Sequence, residues 1–226
     1  MGTASLLEAV RSTPSVRAVV VVTTDKVYEN LETGKAFTEA DALGGNDPYS
    51  ASKAAAEIVT ASMRSSYFGA RQHSEVRVAT VRAGNVIGGG DWSRDRLVPD
   101  CIAAFQSSEP VQLRYPDAVR PWQHVLEPLS GYLIRAEKLL GPSGPELSRA
   151  WNFGPRESDF ETVGSVALEL AQLWGEPACV EMSSTGVHPH EAGVLKLDSD
   201  AAHRMLGWTP RLTLNEAVQS TVGWYR

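Results

Sequence analysis

The chain reads as an α/β protein: a partial, doubly wound parallel sheet with a smaller C-terminal α/β region. Three observations carry that reading. Residues 17–24 (RAVVVVTT) form a short apolar, β-branched run of the kind buried on both faces of a parallel sheet. Asp47-Pro48 opens an Ala-rich stretch with helical spacing, residues 49–68, and proline is tolerated in a first helical turn. A second strand-like run, residues 76–86 (VRVATVRAGNV), follows it, so strand, helix and strand alternate.

The rest of the chain continues the alternation. Residues 96–105 (RLVPDCIAAF) predict a helix, and residues 111–114 (VQLR) a short strand. Residues 127–140 have helical periodicity, interrupted by a loop at 141–145 (GPSGP). WNFG (151–154) reads as a strand, 162–174 as an amphipathic helix, and CVEM (179–182) and LKLD (195–198) as strands. Asp198 or Ser199 is placed to cap a helix over 200–207 that ends at Gly207. Thr213, three residues before Glu216, opens the last helix with a capping-box pattern.

Composition sets limits on function. With 226 residues, 42% apolar and 21% charged, the chain is long and apolar enough to bury a core. A net charge of −6 gives no basic footprint for nucleic acid. No apolar run has the length of a membrane span and no signal-peptide pattern is present, so a cytoplasmic location is expected. Cys101 and Cys179 lack metal-ligand spacing and read as two buried free thiols.

The chemistry concentrates at the ends of the predicted strands. Tyr49 and Lys53 are four residues apart and share one helix face. A neighbouring ammonium favours the phenolate, so Lys53 is expected to lower the Tyr49 pKa from its usual value of about 10 and make it a usable general base. Tyr-x-x-x-Lys alone is more often a surface pair of little energetic value. Its position alters that weighing, because ligands in open α/β sheets bind beyond the carboxyl ends of strands. Thr24-Asp25-Lys26 follows such an end, just upstream of Tyr49.

Several stretches together resemble the extended short-chain dehydrogenase/reductase superfamily, and within it most closely the CDP-glucose 4,6-dehydratase branch. They are TTDKVYEN (23–30), PYSASK (48–53), RAGNVIGGGDW (82–92), DRLVPD (95–100), RPWQHVLEPLSGYL (120–133) and WNFGP (151–155). The Asp25-Lys26 pair is the more specific signal, since related sugar-nucleotide dehydratases typically carry Asp-Glu there. Thr24 is a small departure from the Ser that the branch usually shows.

The resemblance implies a Rossmann-type domain and bound NAD. Residues 1–95 would be the C-terminal portion of that domain. Residues 96–226 would be mainly substrate-binding, with about 120–155 returning to the Rossmann-type domain. Relatives begin with a strand, a Gly-rich turn and a helix that hold the dinucleotide pyrophosphate. No such turn occurs here, so the chain is expected to lack the N-terminal part of that domain.

The implied reaction is dehydration of CDP-glucose to CDP-4-keto-6-deoxyglucose, with Thr24, Asp25, Lys26, Tyr49 and Lys53 catalytic and Tyr49 and Lys53 also meeting the cofactor. For Lys26 to act as a base, burial or proximity to Lys53 must depress its pKa. Thr24, Asn85, Arg96, Leu97, Val98, Arg120, His190 and Glu191 are the expected substrate contacts. Asn85 also fits a turn role, and Arg120 also fits a surface arginine stacked on Trp122. His188, His190 and Glu191 do not match a zinc pattern, and no metal is expected. A homodimer is expected if the fold is intact. Two rival readings stand beside this one: a catalytically inactive sugar-nucleotide-binding or dimerising module, and another sugar-nucleotide epimerase or dehydratase; Asp25-Lys26 argues against an epimerase, which needs no elimination pair.

Overall fold

Helix α1 (Gly2–Arg11) leads into strand β1 (Ala18–Val22), which pairs in parallel with β2 (Arg77–Ala83) along Val19–Val78 and Val20–Ala79. β2 pairs in parallel on its other side with β7 (Ala150–Phe153), giving the sheet order β1–β2–β7. A computed structural model describes residues 1–69, 74–182 and 191–226. The α/β class and its parallel sheet are as the sequence predicts.

Local chemistry accounts for the helix boundaries. α2 (Pro48–Tyr67) begins with proline in its first turn, and the Asp47 carboxylate accepts from the Tyr49 and Ser50 amides. α3 (Leu97–Gln106) precedes β4 (Pro110–Gln112). The Thr162 hydroxyl caps α6 (Val163–Trp174). Thr213 and Glu216 form the expected capping box on α7 (Leu214–Tyr225). Gly207, at φ 66°, takes the left-handed conformation after the short π-type turn Ala202–Leu206, as the helix stop required.

Four expectations need correction. β1 is only half-buried and Val22 is 51% exposed, because among the described residues β1 has a strand neighbour on one side only. The stretch 141–145 is not wholly loop, since α5 (Gly144–Leu147) begins inside it. LKLD forms a single bridge from Leu197 to Phe37 instead of a strand. Cys101 is buried in the core, whereas Cys179 is exposed on β9 (Cys179–Glu181), a two-stranded edge paired with β4.

Smaller pairings complete the architecture. β3 (Val86–Ile87) runs parallel to β6 (Gln123–His124), and β5 (Val119–Pro121) runs antiparallel to β8 (Phe160–Thr162). α4 (Leu126–Leu140) packs on β1 and β2. One apolar cluster lies against the sheet around Val81, Leu139, Trp151, Phe153 and Trp208. A second joins α3, α6 and α7 through Ile102, Phe105, Val166, Leu170 and Val218. No helix among the described residues is long and apolar enough to cross a membrane.

Candidate functional site

The site grows from the carboxyl end of β1. Beyond Val22 the chain remains hydrogen-bonded to β2 through the Thr23 amide, 2.9 Å from the Val81 carbonyl. It then turns tightly over Asp25–Val27, with Thr24 as the cap. The Thr24 hydroxyl donates to Asp25 Oδ1 at 3.0 Å and accepts from the Lys26 amide at 3.4 Å. Asp25 is 2% exposed, and its Oδ2 has no hydrogen-bond partner among the described residues. Burial pushes its carboxyl up to about 6, against the opposing pull of Thr24, Lys26 and Arg120. A carboxyl in that range holds or releases a proton near neutral pH. Lys26 is exposed.

The turn packs against α2, the helix that bears Tyr49 and Lys53. Tyr49, on the first turn of α2, is 52% exposed, and Lys53 is half-buried. Lys53 Nζ stands 5.9 Å from the centre of the Tyr49 ring. Among the described residues Lys53 forms no ion pair, so its donors remain open to a ligand.

Beneath that pair lies a network that the sequence reading missed. Glu57, one turn beyond Lys53, is 3% exposed and receives both Nε and Nη2 of Arg82, at 3.0 and 2.8 Å. The Thr23 and Thr80 hydroxyls donate to the same carboxylate. Burial alone would push the Glu57 carboxyl up, but Arg82 and the two hydroxyls hold it below its ordinary value. Arg82 Nη1 donates to the Tyr28 hydroxyl at 2.8 Å, which donates to Asn152 Oδ1 at 2.6 Å. The network ties α2 to β2, to β7 and to Thr23 just past β1, and fixes the helix that presents Tyr49 and Lys53. The signal available in sequence was polar: Thr23, Thr80 and Arg82 interrupt apolar strands, and Glu57 shares a helix face with Lys53.

Arg120 is not a surface residue stacked on Trp122. It is 2% exposed on β5, with Nη2 2.9 Å from Glu191 Oε1 and Nη1 2.9 Å from the Val119 carbonyl. The structure therefore brings Arg120 and Glu191 together and sets Arg120 within electrostatic reach of Asp25. Asn85 is half-buried between β2 and β3, where its carbonyl accepts from the Gln123 amide at 3.0 Å. Arg96 is the exposed residue capping α3, and Leu97 is half-buried. The Val98 side chain packs in the core at 4% exposure, which leaves its main chain as the part available for a contact. His190 lies outside the described residues. His124 is buried, its Nδ1 accepts from the Leu126 amide, and burial lowers its pKa.

Residues 1–146 match the family model described as the NAD dependent epimerase/dehydratase family. The chain is 45% identical to the CDP-glucose 4,6-dehydratase of Salmonella typhimurium, over 100% of this chain and 63% of that protein. It is 32% identical to the dTDP-glucose 4,6-dehydratase of Streptomyces griseus, over 99% of this chain and 63% of that protein. Its fold resembles that of a Bacillus anthracis dTDP-glucose 4,6-dehydratase solved in complex with NAD. That match has a TM-score of 0.82 at 25% identity and covers 99% of this chain and 66% of the other. The chain thus spans about 63% of the length of these curated relatives.

Proposed function

The chain belongs to the NAD dependent epimerase/dehydratase family, and from that premise we propose that it serves the dehydration of CDP-glucose to CDP-4-keto-6-deoxyglucose. The observation that carries this reading is the buried, partner-poor Asp25 carboxyl in a turn packed against the helix that bears Tyr49 and Lys53. The 45% identity to a CDP-glucose enzyme, against 32% to a dTDP-glucose enzyme, supports the cytidine form of the substrate.

Each residue has a chemical task in this reading. Tyr49 takes the proton of the sugar 4-hydroxyl, and Thr24 hydrogen-bonds the 4-oxygen. The residues present fit the nicotinamide-ribose end of NAD, because the Tyr49 hydroxyl and the unpaired Lys53 ammonium offer donors. When bound, NAD would accept a hydride from C4 and return it at C6. Oxidation at C4 acidifies the C5 proton, which Lys26 removes in this reading. Asp25 gives a proton to the departing 6-hydroxyl, a task that suits a carboxyl pushed up to about 6. Arg120 meets the diphosphate. A homodimer fits the outer face of α2, where Ala51 and Ala55 are exposed and Ile58 is 58% exposed.

The test is incubation of the chain with NAD and CDP-glucose, followed by ultraviolet detection of the ketosugar. Tyr49→Phe is expected to lower kcat by about 100-fold or more. A chain that binds CDP-glucose but returns it unchanged in the presence of NAD supports the binding-module reading instead. Equal turnover of CDP-, UDP- and dTDP-glucose removes the cytidine assignment.

A further inference from the structure

Arg120 is the positive group placed to meet a polyanion at this site, yet its guanidinium is already engaged. Nη2 holds Glu191 at 2.9 Å, and Nη1 faces the carbonyls of Val119 and Gly193 at 2.9 and 3.5 Å. The two partners differ sharply in freedom, since the Arg120 side chain is 3% exposed and that of Glu191 is 41% exposed.

The chain that follows Glu191 is anchored. From Gly193 onward it is strapped down: the Val119 amide donates to the Gly193 carbonyl at 2.8 Å, and the Leu195 amide to the Val119 carbonyl at 3.1 Å. The Glu32 carboxylate accepts from the Gly193 and Val194 amides, and Asn30 donates to the Val194 carbonyl. Glu191 lies two residues before that anchor. Its carboxylate can therefore leave Arg120 without disturbing the strap.

Resting on the reading of Arg120 as the diphosphate contact, we propose that Glu191 is a displaceable counter-ion: a carboxylate that stands where a diphosphate oxygen binds, and that the ligand must expel. The physical reason is charge balance. One guanidinium cannot neutralise both a carboxylate and a diphosphate, and two anions on one buried cation repel each other at short range. Each molecule with Glu191 on Arg120 is closed to the ligand, so apparent affinity falls by the fraction that is open. Glu191 is thus a residue that sets affinity for diphosphate-bearing ligands by opposing them, in contrast to a direct ligand.

The experiment is calorimetric titration of the whole chain with CDP and, separately, with inorganic pyrophosphate. Glu191→Gln removes the charge while keeping the shape, and is expected to tighten both ligands by about three- to tenfold. Glu161→Gln is the control, because Glu161 pairs in register with Arg120 across β5 and β8 but makes no ion pair with it. A gain confined to Glu191→Gln supports the proposal. An equal gain in Glu161→Gln assigns the effect to the overall field and overturns it. Unchanged or weaker binding by Glu191→Gln, or no binding of either ligand, also overturns it. Failure to dehydrate CDP-glucose while Glu191→Gln still tightens pyrophosphate removes the catalytic reading and leaves this one standing.

Discussion

Arg135 on α4 is fully buried, with its guanidinium 4.8 Å from the ring centre of Trp151, and none of its nitrogens has a hydrogen-bond partner among the described residues. Arg149 stands 4.6 Å from the same ring and adds like charge. Burial, then Arg149 and Arg64, push the Arg135 pKa down to about 9. A cation–π contact is worth about 2 kcal/mol when desolvated, less than the several kcal/mol it costs to bury an unpaired ion. Arg135→Leu is therefore expected to raise stability by about 1 kcal/mol or more, read as a higher urea midpoint at unchanged slope. A lower midpoint would show that the arginine has an anionic partner in solution. Periodicity places residue 135 on a helix, but it does not reveal that the side chain enters the core without a counter-ion. Tyr49 and Lys53 were easier to read, because four-residue spacing on a helix fixes their proximity whatever surrounds them.

At the level of elements, polar and close-packed contacts hold α2 and α4 to the sheet. The Glu57 carboxylate with Arg82, Thr23 and Thr80 is the polar attachment of α2. Glu57→Gln leaves Arg82 buried without its charge partner and is expected to cost about 3–5 kcal/mol, measured by chemical denaturation. α4 is held instead by close packing, and Gly131 is where it approaches β7. A Cβ on Gly131 would lie 2.4 Å from the Phe153 ring. Gly131→Ala is expected to cost about 1–3 kcal/mol despite alanine's better helix propensity, because the core must shift to admit the methyl group. Unchanged stability would mean that α4 slides freely on the sheet. Caps and periodicity made α2, α3, α6 and α7 legible within about a residue. They did not reveal α5, a four-residue helix inside a Gly/Pro-rich stretch, or how far a short strand such as β1 would be covered.

Across the whole molecule, two buried carboxyls pull the pH dependence of stability in opposite directions. Asp25 rises from 3.8 to about 6 on folding. Its contribution is fully present below its unfolded pKa and is lost as pH rises through about 6, by about 3 kcal/mol at most. Glu57 is depressed on folding, so its contribution is present above its unfolded pKa and lost as pH falls through the folded one. Asp25→Asn is therefore expected to gain stability over the parent at pH 7 to 8 and to lose that advantage toward pH 4. Denaturation curves at several pH values check this, and an advantage independent of pH would assign it to packing.

The sequence by itself determined the α/β class, the main helices with their caps, and the sharing of one helix face by Tyr49 and Lys53, because each depends on residues a few positions apart. Only the tertiary structure decided that Arg120 is buried and paired with a residue 71 positions away, and that Tyr28 reaches Asn152 across 124 positions. It also decided that Asp25 is buried, which pushes its carboxyl up to about 6. The physical reason is that burial and charge pairing belong to a local environment assembled from distant segments, whereas helical spacing and capping are written along the chain itself.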